Sequence, residues 1–192
     1  MSDHIRLAEL IDVERYPIDD PEGAGAELIE RCRRNLDESA LCCLPEFVTP
    51  GALNSAKEEI LAHQGEAYWT ESERTLYSWR DLRDLPADHA ARITSPHRLA
   101  SVTRDKFATD GVLNHLFELD ELTDFVRRCL GMETLYRVEC PYLSMNVKVM
   151  QKGAQHGWHF DTNDGAVSLL VQTANEGGHY EYVPYIRSEQ DE

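Results

Sequence analysis

The chain has 192 residues, of which 42% are hydrophobic, and this length suits one domain, 1–192, with a sizeable buried core. Its formal net charge of −16 argues against nucleic acid and anionic membrane surfaces as partners, but not against a small cationic substrate. We see no signal peptide or membrane-spanning run, and the five cysteines lack a Cys-x-x-Cys pair. Reduced thiols in a cytoplasmic protein are therefore predicted.

Residues 1–131 are predicted to be mainly helical. A first helix opens near Pro21, and its apolar residues recur at helical spacing: Leu28, Ile29, Cys32 and Leu36. A short buried strand is predicted over 40–48. Thr49 and Pro50 then form a helix start, with Thr49 as the N-cap and Pro50 as the first helical residue.

The middle of the chain, residues 65–109, has the least regular pattern. Aromatic residues alternate with charges there, and Pro86 and Pro96 interrupt the pattern. The segment could cover a substrate, or its aromatic residues could pack along an irregular surface stretch. The strongest helical pattern follows, beginning at Asp110 and ending at Gly131.

Residues 132–192 change to a period of two, which is typical of strands. Strands are predicted over 134–140, 144–150, about 166–172 and 178–186. Helices followed by a β meander favour an α+β fold. We expect a helical layer backing a double-stranded β-helix (a cupin-like jelly roll), of which 132–192 would form the first half.

One short motif in this part carries chemistry. His159 and Asp161 are two residues apart, so in an extended segment their side chains point to the same side. An imidazole and a carboxylate facing one point form two-thirds of the two-His, one-carboxylate triad that binds non-haem Fe(II). The spacing alone is weak, because about 1.5 such triplets are expected by chance from 8 His and 35 acidic residues.

The wider sequence is more specific. It reads His156-Gly-Trp-His-Phe-Asp161, then the Leu-rich segment 167–172, then Gly-Gly-His-Tyr-Glu-Tyr-Val-Pro-Tyr-Ile-Arg over 177–187. Over about 140–187 this resembles the Fe(II)/2-oxoglutarate dioxygenases, specifically the group of free-lysine halogenases and amino-acid hydroxylases. The N-terminal half resembles that group only in general layout.

The resemblance implies Fe(II) and 2-oxoglutarate as cofactors and His159 and Asp161 as metal ligands. Halogenases of the group have Gly at the position of Asp161, which opens an iron position for chloride. A carboxylate fills that position and implies hydroxylation. His156 matches a residue that contacts substrate in lysine-specific relatives, although a solvated His near the metal is an equal interpretation.

Three further residues are candidates for binding. Asn163 and Asp164 could bind a substrate ammonium, or could simply form a turn, since Asn-Asp-Gly is strong turn chemistry. Asn146 alternates with the apolar side of its strand, together with Lys148, and could line the barrel mouth where 2-oxoglutarate would sit.

Two elements of the family pattern match nothing in this sequence: the distal His ligand and the Arg that pairs with the far carboxylate of 2-oxoglutarate. His179 occupies a variable position of the Gly-Gly segment and is a poor substitute. We therefore expect a fragment of a longer protein, inactive or very weak alone. Half a jelly roll would also leave unpaired strand edges, which favours self-association, such as a homodimer.

The function predicted from the sequence is hydroxylation of a free amino acid, with a basic one as a candidate, using O2. A non-catalytic jelly-roll fragment or binding module is one alternative. A zinc-dependent hydrolase using His156, His159 and Asp161 is another, although no general base is recognisable.

Overall fold

The computed structural model describes residues 6–77, 79–161 and 165–186. The helices are α1 (Leu7–Leu10), α2 (Ala24–Ser39), α3 (Pro50–His63), α4 (Val112–Glu118) and α5 (Asp120–Cys129). The strands are β1 (Tyr68–Thr75), β2 (Thr94–Thr103) and β3 (Asn146–Val149), which form one antiparallel sheet in the order β1-β2-β3. Short 3-10 turns cover Gln64–Glu66, Ala90–Arg92 and Arg104–Lys106. Within the described ranges, no helix combines the length and apolar character needed to cross a bilayer.

The chain divides into two compact units. The first contains residues up to Glu59, then 108–139 and the segment from Val171 onward, and the second contains Ile60–Phe107 and Cys140–Leu170. Helices and a three-stranded sheet agree with an α+β class, while the jelly roll stays a prediction.

The first unit is built on a helical core. Helix α2 buries Leu28, Ile29 and Cys32 on one side, as its spacing predicts. The side chains packed with them come from three parts of the chain: Leu10, Ile11, Tyr16, Ile18, Val48, Ala52, Leu116, Phe125 and Cys129. The thiol of Cys32 lies beside that of Cys129, and this contact together with burial raises the pKa of Cys32. All five cysteines are free thiols.

The predicted strand over 40–48 is wrong. Only Val48 pairs, in an isolated bridge with Ile11, because Pro45 and the left-handed backbone of Glu46 (φ 59°) turn the chain just before it.

The predicted helix over 110–131 is present but interrupted. Leu119 has an extended backbone (ψ 113°), and Asp120 and Glu121 begin a second helix, where acidic side chains stabilise the N-terminus. Gly131 ends this helix at a positive φ of 67°, as predicted, and its N–H donates to the Arg128 carbonyl at 3.1 Å.

Thr49 caps α3 as predicted. Its Oγ1 accepts from the Ala52 N–H at 3.2 Å and donates to the Glu9 carbonyl at 2.6 Å. We expect Thr49→Ala to lower the free energy of unfolding by about 1 kcal/mol, because an orphan helix N–H and a carbonyl both lose their partner. Chemical denaturation measures this, with the exposed Thr173→Ala as a control that should change stability by less than about 0.5 kcal/mol. Equal losses in both variants would contradict the capping role.

The second unit contains the sheet. β1 and β2 lie in the stretch of 65–109 that had the least regular pattern, so the prediction of an irregular segment is wrong for Tyr68–Thr75 and Thr94–Thr103. β3 is the shortened form of the strand predicted over 144–150, and Val147 and Val149 share its more buried side. The strands predicted over 134–140, 166–172 and 178–186 are wrong, because these residues have no regular secondary structure.

Candidate metal site

The backbone after β3 returns to the sheet and holds the His-rich motif against β2. Arg98 and Gln155 exchange both backbone hydrogen bonds at 2.8 Å, in an isolated antiparallel bridge. Farther along, the Phe160 N–H donates to the Leu76 carbonyl at 3.1 Å, just beyond β1. The segment from Gln155 to Phe160 is therefore fixed to the sheet at both ends.

Gly157 permits this close approach. A Cβ placed on it would lie 2.7 Å from both the Pro96 carbonyl oxygen and Ser95 Oγ, which is closer than a side-chain carbon tolerates. The residue is buried, and its own carbonyl accepts a hydrogen bond from His159 Nδ1 at 2.8 Å. Only glycine allows the segment to pack at this distance.

His159 and Asp161 meet as predicted for residues two apart. His159 Nε2 lies 3.4 Å from Asp161 Oδ1. Because a carbonyl oxygen only accepts, His159 Nδ1 carries the proton, and in the neutral ring Nε2 presents its lone pair on the side of Asp161. A carbonyl partner that fixes the tautomer in this way is typical of metal-binding histidines.

This donor pair fits a metal ion. Metal–ligand bonds of about 2.1 Å at a right angle put two donor atoms about 3 Å apart, so a small movement from 3.4 Å would complete the geometry. Among the described residues, however, no group of three His, Cys, Asp or Glu side chains could hold a metal. The structure thus offers two donors, and the three-ligand zinc site of His156, His159 and Asp161 finds no support in it.

His156 packs against the ring of His159 but is not part of the donor pair that His159 forms with Asp161. The two ring centroids lie 4.4 Å apart, which needs a bend in the chain, because residues three apart point to opposite sides of an extended segment. His156 is exposed as a whole residue, but its imidazole ring is partly enclosed by other atoms. This burial, followed by the effect of His159, lowers the pKa of His156 to about 4. His156 is therefore a neutral imidazole at physiological pH.

A residue that the sequence analysis missed completes the imidazole cluster. His97 in β2 is only 4% exposed, and its ring centroid lies 5.0 Å from that of His156. Burial lowers its pKa, and nearby Arg74 adds to the effect. The sequence gives little signal for this strand, because the apolar residues of Thr94–Thr103 do not alternate regularly with polar ones, and nothing in it points to His97.

The remaining predicted residues have different outcomes. Asn146 lies exposed at the start of β3, opposite Thr103. Asn163 and Asp164 lie outside the described residues. Trp158 is 44% exposed, and His179 is exposed in the first unit.

The second unit also has an open pocket of about 270 Å³ near the ends of β1 and β2. Its lining residues are Thr75, Arg80, Leu82, Arg83, Arg92 and Thr94. Arg83 is already bound to Asp81 and Arg92 to the Leu85 carbonyl, which leaves this pocket less suited to an anion than its three arginines suggest.

A match to a known family covers most of the chain. The sequence model of the family HalD, halogenase D, matches residues 26–192. The chain belongs to the halogenase D family. The match begins at residue 26, well before 140, so the similarity to the halogenase D family extends into the N-terminal half of the chain. No curated protein matches the chain.

Membership in the halogenase D family indicates an enzyme of halogenase type. Such an enzyme is consistent with the oxygenase chemistry predicted from the His-Phe-Asp motif.

Proposed function

We propose that this halogenase D protein is an Fe(II)- and 2-oxoglutarate-dependent hydroxylase of a free amino acid, with basic amino acids as the first candidates. The observation that carries the proposal is the convergence of His159 Nε2 and Asp161 Oδ1 at 3.4 Å on a segment fixed to the sheet. Iron with 2-oxoglutarate, when bound, supplies the oxidising chemistry that activates O2.

The residues of the chain have separate tasks in this proposal. His159 and Asp161 hold the metal, and the Gly157 carbonyl keeps the His159 proton on Nδ1 so that Nε2 is available. His156 is neutral and beside them, so it can exchange a hydrogen bond with a substrate without repelling a cationic side chain. The net charge of −16 would attract a basic amino acid.

Asp161 favours hydroxylation over halogenation. Its carboxylate occupies the position where the halogenases that the motif resembles have glycine, and a chloride needs that position open. The carboxylate beside His159 Nε2 is therefore the feature that separates the two reactions.

Product analysis tests the proposal. The protein is incubated with Fe(II), 2-oxoglutarate, O2, chloride and a panel of amino acids, and succinate and modified amino acids are measured by mass spectrometry. We expect slow hydroxylation that needs a large excess of iron, because two described protein donors hold Fe(II) weakly.

Three other results would each be informative. A chlorinated product would overturn the assignment of hydroxylation, and a modified amino acid formed without iron or 2-oxoglutarate would overturn the proposed reaction. Fast turnover at stoichiometric iron would show that a third protein ligand is present and that the two-donor site is incomplete.

A further inference from the structure

Three imidazole rings form a row that runs from the interior of the sheet to the metal-donor pair. The ring of His97 lies at the sheet end, with its centroid 5.0 Å from that of His156 and a T-shaped interplanar angle of 62°. The centroid of the His156 ring lies in turn 4.4 Å from that of His159, with an interplanar angle of 32°. The ring of His156 is therefore in contact with two other imidazoles.

The register of the backbone explains why His97 and His156 meet. The antiparallel bridge between Arg98 and Gln155, continued by one residue along each segment, sets His97 opposite His156. Opposite residues of an antiparallel pair share a face, and their side chains are close neighbours there. At the next residue, a Cβ on Gly157 would lie 2.7 Å from a carbonyl oxygen of β2, so the two backbones are held close together at this point.

His97 is the fixed end of the row. It is 4% exposed and lies in the central strand β2, with Ser72 of β1 opposite it on one side. His156, by contrast, is exposed as a residue and belongs to a segment without regular secondary structure. Packing against neighbours locks a side chain in one rotamer, so the orientation of the His156 ring depends on the rings beside it.

The residue type at position 97 also indicates a role beyond packing. The other buried positions of β2 carry the apolar residues Leu99, Ala100 and Val102. An imidazole is polar and is buried at a cost that an apolar residue avoids. His97 does not join a three-ligand metal site, because the described residues contain no such group. Its ring contact with His156 is the feature that distinguishes it from the apolar positions.

We propose that His97 is a positioning residue, which holds the ring of His156 in place beside His159. Edge-on contact between rings is favoured, so His97 selects one orientation of the His156 ring. A group of the amino acid substrate bound by His156 would then lie at a fixed distance from the metal donors, where a displacement of about 1 Å costs about 100-fold in rate. The link to a substrate rests on the proposed function, whereas the positioning of the rings does not.

Nuclear Overhauser effects between imidazole protons test the row in metal-free protein labelled at histidine. We expect the unmodified protein to show contacts of His156 with both His97 and His159. His97→Leu introduces an apolar residue of similar size and should weaken the His156–His159 effect by about 2- to 5-fold, because the ring contact that favours this rotamer is lost. His97→Phe keeps an aromatic ring at the position and should restore the effect.

His63 provides a matched control in the same unit. Its ring also packs edge-on against an aromatic ring, that of Phe107 at a centroid distance of 5.6 Å, but it lies outside the row. His63→Leu should therefore leave the His156–His159 effect unchanged. Thermal denaturation of each variant separates stability from position, because a residue that only packs would lower the melting temperature in His97→Leu and leave the ring contact intact.

The role of His97 is overturned by any of four results. These are the absence of either ring contact in the unmodified protein, an unchanged His156–His159 effect in His97→Leu, a folded His97→Phe variant that fails to restore it, and an equal loss in His63→Leu. The measurement on the unmodified protein needs no variant, so it decides the matter even if a substitution at 97 prevents folding.

Turnover extends the test to the substrate. With the amino acid that product analysis identifies, His97→Leu should raise KM by about 2- to 10-fold, and His97→Phe should stay close to the unmodified protein. An unchanged KM in His97→Leu would overturn the link to the substrate. The proposed function can fail separately, because a chlorinated product would overturn hydroxylation while the ring contacts, measured without metal or substrate, still decide the role of His97.

Discussion

Asp161→Gly is expected to lower iron affinity and hydroxylation together. The substitution removes one of the two described donors and its negative charge. We expect at least a roughly 100-fold loss of metal affinity, because even mutating residues that only orient the ligands costs about 10- to 100-fold in metal affinity. Little chlorination should appear in exchange, because a chloride pocket is needed as well as an open position. Metal titration and mass spectrometry of the product measure both effects.

Two further variants define the role of Asp161. Asp161→Glu keeps the charge but extends the side chain by one methylene, and the displacement of about 1 Å should cost about 100-fold in rate. Glu181→Gly serves as the control, because Glu181 ends a second His-X-acid triplet, His179-Tyr-Glu181, and is exposed. Full hydroxylation by Asp161→Gly without added chloride would remove Asp161 from the site.

Gly157→Ala is expected to have the second large effect. The new Cβ would lie 2.7 Å from the Pro96 carbonyl oxygen and from Ser95 Oγ, so the segment must move away from β2. Overpacking of this kind costs about 1–3 kcal/mol of stability. The movement also displaces the carbonyl that orients His159, and a shift of about 1 Å is enough for a roughly 100-fold loss of activity.

Thermal denaturation and metal titration test this expectation together. Gly65→Ala is the matched control in the same unit, because a Cβ there meets no atom within 4 Å. The control should keep both stability and metal affinity. If Gly157→Ala binds metal as tightly as the unmodified protein, the close packing against Pro96 does not position His159.

Local signals were enough to predict the helical parts of the first unit. Leu28, Ile29 and Cys32 follow the helical period, and Thr49 and Gly131 mark helix ends by their own chemistry. These features depend on residues within a few positions of one another. The break at Leu119 was missed because both halves of the interrupted helix keep apolar residues at helical spacing.

Strands were harder to predict because a strand needs a partner. In β1, Tyr68 and Trp69 are exposed and charged residues follow among polar ones, so the sequence does not indicate its pairing with β2. Residues 166–186, by contrast, have the composition of strands, yet the structure has no strand there. Val167, Leu170 and Tyr180 are exposed instead. Composition indicates strand propensity, but the register of a distant partner decides the structure.

The same difference between local signals and distant pairing applies to the residues of the candidate site. The His159–Asp161 pair was predictable, because side chains two residues apart in an extended segment share a side. His97 was not, because it reaches the site through the register of β2 with the segment after β3. No spacing within the motif itself points to it.

The bonds that fix the His-rich segment also set an order of assembly. Gln155 pairs with Arg98, and Phe160 binds Leu76, so the segment needs strands that lie far earlier in the chain. During synthesis, the β1–β2 hairpin can therefore form while residues 155–161 are still unmade. His159 and Asp161 reach their positions beside the sheet only when this later segment docks. Hydrogen exchange at the Arg98 and Gln155 amides would follow that docking step directly.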